Sequence, residues 1–453
     1  MRITKILSEG ILCLLLGTPS GFCDTAEEPR HYSLSLQDAI RIAFENNRDI
    51  QIQEEEIKVA KANILYAYGR FLPKVNLNTA YTHNGAILRL ATTGAKKDVG
   101  VFSGYQNDNT MGVSIDETVY NGGADYANFK QAKIRLRIQE ETLRLRKLNV
   151  AFETKRLYYG LLLAYENERI ASSLLRQAQS HYEDVKHKFS QGIASRFDLL
   201  QSKVQVSKIK PEVVKANNAV ESITADFKKL LSLKMQDSVE IKDKLIFFPI
   251  QVDEERFLKD AYMHRPEMNL KLLGIDMNKL QIQTAGASGL PQINASLNYG
   301  YRSNNLGNMF NSRHNLWSAG VSVSIPIFDA FSAMAKVEEA KARYVQSCLE
   351  KDNLGEQIAV EIKKGCLDLH QALSIIEASK DDIEEAKEAL RIAQVRFYSG
   401  EGTNLDVLDS QVTLSQIEKN YSEAVYDYIM AKAFLEKSIG KEYFTEEGNE
   451  EKD

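Results

Sequence analysis

The chain has 453 residues, of which 26% are charged, and its net charge at pH 7 is −5. No basic run or basic–aromatic patch stands out, so nothing in the composition suggests a nucleic-acid-binding protein. The mean hydropathy is −0.33, and no apolar stretch near twenty residues follows the N-terminal segment, which excludes a helical membrane span but allows the weakly hydrophobic strands of a membrane β-barrel.

The N-terminal segment has the pattern of a secretory signal peptide, which we predict over residues 1–23. Arg2 and Lys5 give it a positive start, and Ile11–Leu16 form a short apolar core. The residues that follow suit cleavage after Cys23. The same Cys23 permits lipidation as an alternative, which the bulky residue before it makes the less favoured one.

Removal of that segment leaves Cys348 and Cys366 on one predicted helix. Eighteen residues of helix place them about 27 Å apart, a distance that no intrachain disulfide can bridge. The histidines are dispersed, and His181 and His187 do not share a helix face, so we expect each to be packed or solvated. The sequence therefore predicts no metal site and no cofactor.

An internal repeat is the main organising feature of the sequence. Residues 189–202 match residues 397–410 at an offset of 208, and Leu72-Pro73 matches Leu290-Pro291 at an offset of 218. The difference of ten residues falls between the two strands predicted for the first repeat, which therefore carries the longer loop. The positions shared by the two later segments are Phe189 and Phe397, Gly192 and Gly400, Asp198 and Asp406, Leu200 and Leu408, and Ser202 and Ser410.

The repeat divides the chain into segments. We expect residues 24–232 to form the first repeat and residues 254–440 the second, with residues 233–253 as a linker between them. The acidic residues 441–453 are predicted to be a disordered tail.

Each repeat begins with a predicted helix, Leu36–Arg70 in the first and Glu254–Gly289 in the second. The hydrophobic period then changes to two, which is typical of strands with one apolar and one polar face. The polar faces are rich in Asn, Ser and Gly, and each strand has about ten residues, the length that crosses a bilayer. A surface sheet over a soluble core is the alternative. The predicted strands include residues 75–82, 111–116, 293–300 and 317–324.

Three aromatic residues, Tyr299, Tyr301 and Trp317, fit a girdle at a membrane interface. Four strands cannot close a barrel, and an open sheet edge is not viable in lipid. A membrane-spanning sheet therefore requires an oligomer, and three copies would supply twelve strands.

Long helices follow the strands of each repeat. Proline is absent between Pro73 and Pro211 and again after Pro326, which leaves room for them. We predict one helix from near Ala124 and another from near Ala330, each extending about 100 Å to a glycine turn. A return helix follows each turn, and Pro211 should kink the first of them. A periplasmic coiled-coil scaffold without channel activity would explain the helices and the signal peptide, but not the strands.

The chain resembles the TolC-like outer membrane factor family. The resemblance rests on the two matched segments above, on Val119–Gly123 before the first long helix, and on Ile325–Asp329 before the second. These motifs occur in order in both repeats, and the similarity covers nearly all of the chain after the signal peptide.

The resemblance implies a mixed all-α and β-barrel fold, with a long periplasmic α-helical, coiled-coil barrel and four transmembrane β-strands per chain that complete a twelve-stranded barrel in a homotrimer. It places the protein in the bacterial outer membrane, in contact with lipid, with the helices in the periplasm. The implied function is the exit duct of a tripartite efflux or type I secretion system. Its implied partners are a periplasmic adaptor (membrane fusion protein) and an inner-membrane pump, and residues 233–253 would belong to an equatorial belt.

Aspartates near the glycine turns are the candidate pore residues. Asp198 and Asp406 each lie three residues after a Ser or Thr, in the pattern of a capping box, which is a sufficient structural reason for both. Asp409 has no such reason. The resemblance implies that Asp406 and Asp409 face the axis at a periplasmic constriction, where threefold symmetry would make rings of acids that favour cations. For Asp409, a solvated helix position is an equal alternative.

The turns themselves are the candidate docking surface. Gly192 and Gly400 are predicted to adopt positive φ, and with Gln191 and Gly402 they form the exposed tip that a pump or adaptor would contact. Some members of the resembled family have a basic residue near the position of Gly402 that helps to lock the closed end, so locking must differ here.

Two aromatic residues precede these turns, and packing is the simpler expectation for both. We expect Phe189 and Phe397 to pack between helices more than to contact a partner. An enzyme is not predicted, because the sequence contains no HExxH, Walker A, GxSxG or GxGxxG motif.

Overall fold

The computed structural model describes residues 30–85 and 107–440, so the predicted signal peptide and the acidic tail lie outside the described residues. One series of elements occurs twice: two short helices, two strands and two long helices. The first series is α1 (Leu36–Asn46), α2 (Arg48–Gly69), β2 (Lys74–His83), β3 (Asn107–Asn121), α3 (Ala124–Ser190) and α4 (Arg196–Leu230), preceded by β1 (His31–Leu34). The second is α5 (Glu254–His264), α6 (Pro266–Ala287), β5 (Gln292–Ser303), β6 (Asn315–Ser324), α7 (Ser332–Ser399) and α8 (Asn404–Ile439), preceded by β4 (Ser238–Ile241).

The helix predicted at the start of each repeat is wrong in one respect, because the structure has two helices there. The break after α1 lies at Asn47, which has extended backbone and accepts a hydrogen bond from the Asp49 amide to cap α2. The break after α5 lies at Arg265, where Pro266 disfavours helical backbone in the residue before it. Proline then serves as the first residue of α6, where a missing amide proton is harmless.

The four long strands form one antiparallel sheet in the order β2-β3-β5-β6. The register aligns Leu77, Val113, Tyr299 and Trp317 in one row across the whole sheet. Residues of the next row, such as Asn298, point to the other face. The sheet therefore has one apolar and one polar face, as the alternating sequence predicted. Within the described chain, β2 and β6 are edge strands with no second neighbour.

The helices before and after the strands are arranged side by side. Helix α3 packs against both α2 and α6, and α7 packs against α6. The return helix α4 lies along α3, and α8 lies along both α7 and α3. The α-helical assignment of α4 continues through Pro211, and the kink at this residue stays a prediction. In the described part of the chain, every helix is too short or too polar to cross a membrane.

Two hydrophobic cores lie near the middle of the long helices, and a third lies at their far end. The middle cores are centred on Tyr158 of α3 and Tyr428 of α8. The linker passes between them: the Tyr158 hydroxyl donates to the Asp243 carboxylate at 2.5 Å, and the Tyr428 hydroxyl accepts from the Ile250 amide at 2.9 Å. Strand β4 of the linker pairs in parallel with β1. The linker thus binds the two repeats together at mid-length.

Candidate functional site

The far end of the helices consists of two hairpin turns, which together we call the tip. Gly192 and Gly400 both have φ of +80°, the left-handed conformation that ends a helix and favours glycine. Both return helices begin with a complete capping box, formed by Ser195 with Asp198 and by the equivalent pair in α8. The predicted turn conformation and both capping boxes are confirmed.

Gly402 is required for a different reason, since its φ is not positive. A Cβ at this position would lie 3.0 Å from Cβ of Arg396, at the end of α7. The Gly402 amide also donates to the Arg396 carbonyl oxygen at 2.9 Å. The turn is therefore folded tightly against the helix that it leaves, and a larger residue would displace it.

The three candidate pore aspartates differ in what holds them. The Asp406 carboxylate accepts a hydrogen bond from the Thr403 amide at 2.9 Å, and this bond lowers the pKa of Asp406. Asp198 makes the equivalent contact with Ser195 and is partly buried. Asp409 is exposed one turn after Asp406, and no hydrogen bond or ion pair from the described residues holds its carboxylate. Capping thus accounts for two of the three, and leaves Asp409 available to solvent.

A buried polar cluster joins the two hairpins at the tip. Asn404, the first residue of α8, is 4% exposed. Its Oδ1 lies 2.7 Å from Nε2 of His181 and accepts from the Ser202 hydroxyl at 3.1 Å, while its Nδ2 donates to Oε1 of Gln201 at 3.0 Å. Burial lowers the pKa of His181, and the Asn404 contact opposes that shift. Every polar atom of the Asn404 side chain is therefore used to connect α8 with α3 and α4.

Lys188 makes a second connection between the hairpins. Its Nζ donates to the Phe397 carbonyl oxygen at 2.8 Å and lies 4.1 Å from the centre of the Phe397 ring. The ammonium group thus adds a second hydrogen bond to a carbonyl that already accepts from the Gly400 amide at 3.3 Å, and it lies at the negative end of the helix dipole. The contact holds the end of α7 against the end of α3.

A third connection lies on the surface next to it. The Tyr398 hydroxyl donates to the Asp184 carboxylate at 2.6 Å. This hydrogen bond, with partial burial, raises the pKa of Tyr398 to about 12. The two side chains form a charge-assisted bond between α7 and α3 within about two helical turns of the tip.

The two phenylalanines before the turns have different environments. Phe397 is buried in the third hydrophobic core and packs 5.0 Å from the His181 ring, so the prediction of helix packing is confirmed for it. Phe189 is 39% exposed in the single chain, so helix packing stays a prediction for it. Gln191 is also exposed at the end of α3.

At the opposite end of the molecule, the sheet presents its predicted aromatic residues on the apolar face. Tyr299 is opposite Trp317, and its ring is 5.9 Å from that of Tyr301. In the single chain Tyr299 and Trp317 are exposed, and Tyr301 is partly exposed. On the polar face, Arg302 makes a bidentate ion pair with Asp108, with Nη2 2.6 Å from Oδ2.

Comparison with known proteins identifies the family. The model of the family described as "Outer membrane efflux protein" matches residues 39–232 and 258–441, and so covers both repeats. The chain belongs to this family. It is an outer-membrane efflux channel protein, with strands in the membrane and helices that extend into the periplasm.

Comparison with individual outer membrane and secretion proteins supports this family assignment. The chain is 19% identical to the alkaline protease secretion protein AprF of Pseudomonas aeruginosa, over 89% of this chain and 84% of that protein. It is 20% identical to the outer membrane protein TolC of Vibrio cholerae, over 82% of each. Its fold matches the crystal structure of the Campylobacter jejuni CmeC outer membrane channel with a TM-score of 0.79, at 18% identity, over 92% of this chain and 87% of that one.

Sequence reasoning missed the residues that join the two hairpins. No motif in the sequence marks Asp184, Lys188 or Tyr398, and for His181 the sequence predicts only a packed or solvated side chain. A signal for two of the partners does exist in the repeat. Where α7 and α8 have Tyr398 and Asn404, the equivalent positions of the first repeat are Ser190 and Arg196. Departures from the repeat at an otherwise matched tip mark the contacts that connect its two halves.

Proposed function

We propose that three copies of this chain together form one channel, which serves as the exit duct of a tripartite efflux or type I secretion system. The observation that carries the proposal is the sheet: it has an apolar face, a polar face and, among the described residues, two edges without a neighbouring strand. Because β2 and β6 are antiparallel, β6 of one copy can pair with β2 of the next. Closure by three copies gives twelve strands, an allowed number for an outer-membrane barrel.

The long helices extend this channel into the periplasm. Helix α7 has 68 residues, which corresponds to about 100 Å of rise. Under threefold symmetry the tip lies at the periplasmic end of the duct. We propose that Asp409, with Asp406 and Asp198 nearby, lines the constriction there. A ring of three exposed carboxylates favours cations and repels anions.

The proposed partners are a periplasmic adaptor and an inner-membrane pump. A groove of about 570 Å³ lies between α3, α4 and α8, lined by small residues such as Ala216 and Ala219 and by the charged Glu212 and Lys215. Such a surface suits an amphipathic helix of an adaptor. The exposed tip residues Gln191 and Gly192 supply a second contact for these partners. A duct of this kind performs no bond chemistry, so we propose a transport function and no enzymatic one.

Two measurements test the proposal. Purified protein in detergent should have the mass of a trimer and should give discrete conductance steps in planar bilayers. A photo-reactive residue in place of Gln191 should then capture an adaptor or a pump in cells. A monomer without conductance, recovered from the soluble periplasmic fraction, would instead support the scaffold alternative.

A further inference from the structure

A cavity that the proposed duct does not use lies among α1, α3 and α8, beside the hydrophobic core centred on Tyr158. Its volume is about 510 Å³, within the range of about 300–1,000 Å³ that ligand pockets have. Most of its lining is apolar. The residues that supply this apolar part are Phe44, Leu143, Leu148, Ala151, Phe152 and Ala433. Apolar surface of this extent marks a site of interaction.

The rim of the cavity is basic. Lys155 is neutralised by Glu436, with Nζ 2.6 Å from Oε2. Lys437 lies over the Phe152 ring, with Nζ 4.9 Å from its centre. Within the described part of the chain, Lys147 has no hydrogen bond or ion pair. The charged residues of the lining are Arg144, Lys147, Lys155, Lys437, Glu140 and Glu436. The cavity therefore suits a ligand that is apolar in one part and acidic in another.

The segment that follows α8 has this composition. We call residues 441–453 the tail. Tyr443 and Phe444 are adjacent, Glu446 and Glu447 follow closely, and the tail contains six acidic residues and two lysines. The match to the family ends at residue 441, so the function assigned to the family makes no use of the tail. The sequence alone predicts disorder for it, because it has little apolar surface to bury by itself, and the cavity offers such a surface.

The chain leaves α8 beside the cavity. The lining residues of α8 are three or four positions apart, and Gly440 continues that spacing, so all of them lie on one face of the helix. The Gly440 carbonyl oxygen accepts a hydrogen bond from Nη2 of Arg144 at 3.2 Å, and Arg144 is itself part of the lining. An extended chain of four residues spans about 13 Å. The aromatic residues of the tail are therefore within reach of the apolar part.

We propose that the tail folds back onto this cavity of its own chain. The side chains of Tyr443 and Phe444 pack in the apolar part, against Phe152. The carboxylates of Glu446 and Glu447 pair with the ammonium group of Lys147 at the rim. The bound tail ties α1 of the first repeat to α8 of the second, near the level where the linker also joins the repeats. The inference does not depend on the proposed function, because the whole site lies within one chain.

The surroundings of the cavity favour the tail over other occupants. Helix α3 already packs against α2, α4, α6 and α8 of its own chain. A second copy would pair at β2 and β6, whereas the lining of the cavity comes from α1, α3 and α8. A free anionic amphiphile would match the same lining. The tail is attached beside the cavity, however, and attachment by a short linker gives it an effective concentration in about the millimolar range.

A pair of cysteines tests the position of the tail. Lys147→Cys and Glu447→Cys are introduced together in a whole chain whose own cysteines are replaced, and the purified protein is treated with a short bismaleimide. We expect a link within one chain, which mass spectrometry identifies as a joined pair of peptides from α3 and the tail. The matched control combines Glu447→Cys with Asn149→Cys, which lies two residues along α3 and so on the opposite side of the helix. Equal yields from the two pairs, or links only between chains, would overturn the proposal.

The reactivity of a thiol in the cavity gives a second test. Ala151→Cys places this thiol in the apolar lining, and its rate of modification by an anionic methanethiosulfonate is measured. Removal of residues 442–453 should raise the rate about tenfold, as expected where the tail covers the cavity for about 90% of the time. Tyr443→Ser together with Phe444→Ser should also raise it. A thiol at Asn149 should react at the same rate with and without the tail.

The outcomes separate this proposal from the proposed function. Equal rates at residue 151 in the whole and shortened chains would show that the tail leaves the cavity open. That result would overturn the proposal in favour of a separate anionic amphiphile. Protein that is monomeric and does not conduct would overturn the proposed function, but the link between α3 and the tail would still form within each chain.

Discussion

The Tyr398 hydroxyl donates to the Asp184 carboxylate at 2.6 Å and so connects the second hairpin of the chain with the first, close to the tip. The two residues are 214 positions apart in the sequence. With the Lys188 and Asn404 contacts, this bond holds the tip of each protomer as one unit. A channel that opens at its tip has to change these contacts or carry them along.

Tyr398→Phe should loosen the tip, because it removes this hydrogen bond and leaves the ring in place. The loss for a partly exposed bond is about 1 kcal/mol. We expect a larger single-channel conductance or more frequent opening in planar bilayers. Tyr182→Phe, on the same long helix α3, is the matched control and should leave conductance unchanged. Equal traces from both variants would contradict a locking role for the bond.

The same bond should respond to high pH. The pKa of Tyr398, about 12, lies above the ordinary value of 10.0 for tyrosine, so the bond favours the neutral phenol. The stabilisation is therefore complete below about pH 10 and is lost as the pH rises through about 12. Conductance should increase over that interval in the natural protein, and Tyr398→Phe should show no such increase.

Asn404→Ala should destabilise the tip more than Tyr398→Phe does, because Asn404 is buried. Nε2 of the buried His181 and Oε1 of Gln201 would both lose a hydrogen-bond partner. A buried polar group left unpaired costs about 1–3 kcal/mol. Limited proteolysis should then cut near residues 191–195 or 400–403 sooner than in the natural protein, while the middle of the helices remains protected. Ser207→Ala, on the exposed side of α4, serves as the control.

His181 should make the tip sensitive to acid. Burial lowers its pKa below the ordinary value of 6.5, so the unfolded tip binds a proton more readily than the folded one. The stabilisation is therefore complete above about pH 6.5 and is lost as the pH falls through the lowered value. Hydrogen exchange at the tip should accelerate over this interval. Among the charged neighbours, Asp184 opposes the shift and Lys188 adds to it.

Asp409→Ala tests the proposed pore ring. Loss of three exposed carboxylates should reduce the preference for cations, measured as a shift in reversal potential under a salt gradient across a planar bilayer. Asp381→Ala removes an exposed carboxylate from α7 and is the matched control. An unchanged reversal potential for Asp409→Ala would remove this residue from the constriction and favour a solvated helix position.

The periodic features of this fold were predictable from the sequence, because each is encoded locally. Alternation at period two gave the four strands and their faces, and the capping pairs Ser195 with Asp198 and Thr403 with Asp406 gave the starts of the return helices. The helix breaks at Asn47 and Arg265 also have local signals, a capping residue and a following proline. Each signal lies inside a longer helical pattern, and that pattern predicts one uninterrupted helix. The His181–Asn404 contact joins residues 223 positions apart, and nothing in either segment alone specifies its partner.

The spacing of the hydrophobic cores gives each protomer the mechanics of a lever. The middle cores are centred on Tyr158 and the tip core includes Val185, both on α3, and the helix between them corresponds to an arm of about 40 Å. A tilt of about 5° at the middle core would move the tip by about 3.5 Å. The linker at mid-length then lies at the pivot of this motion. Substitutions at Asp243 or Tyr428, far from the tip, should therefore change how wide the pore opens at the tip.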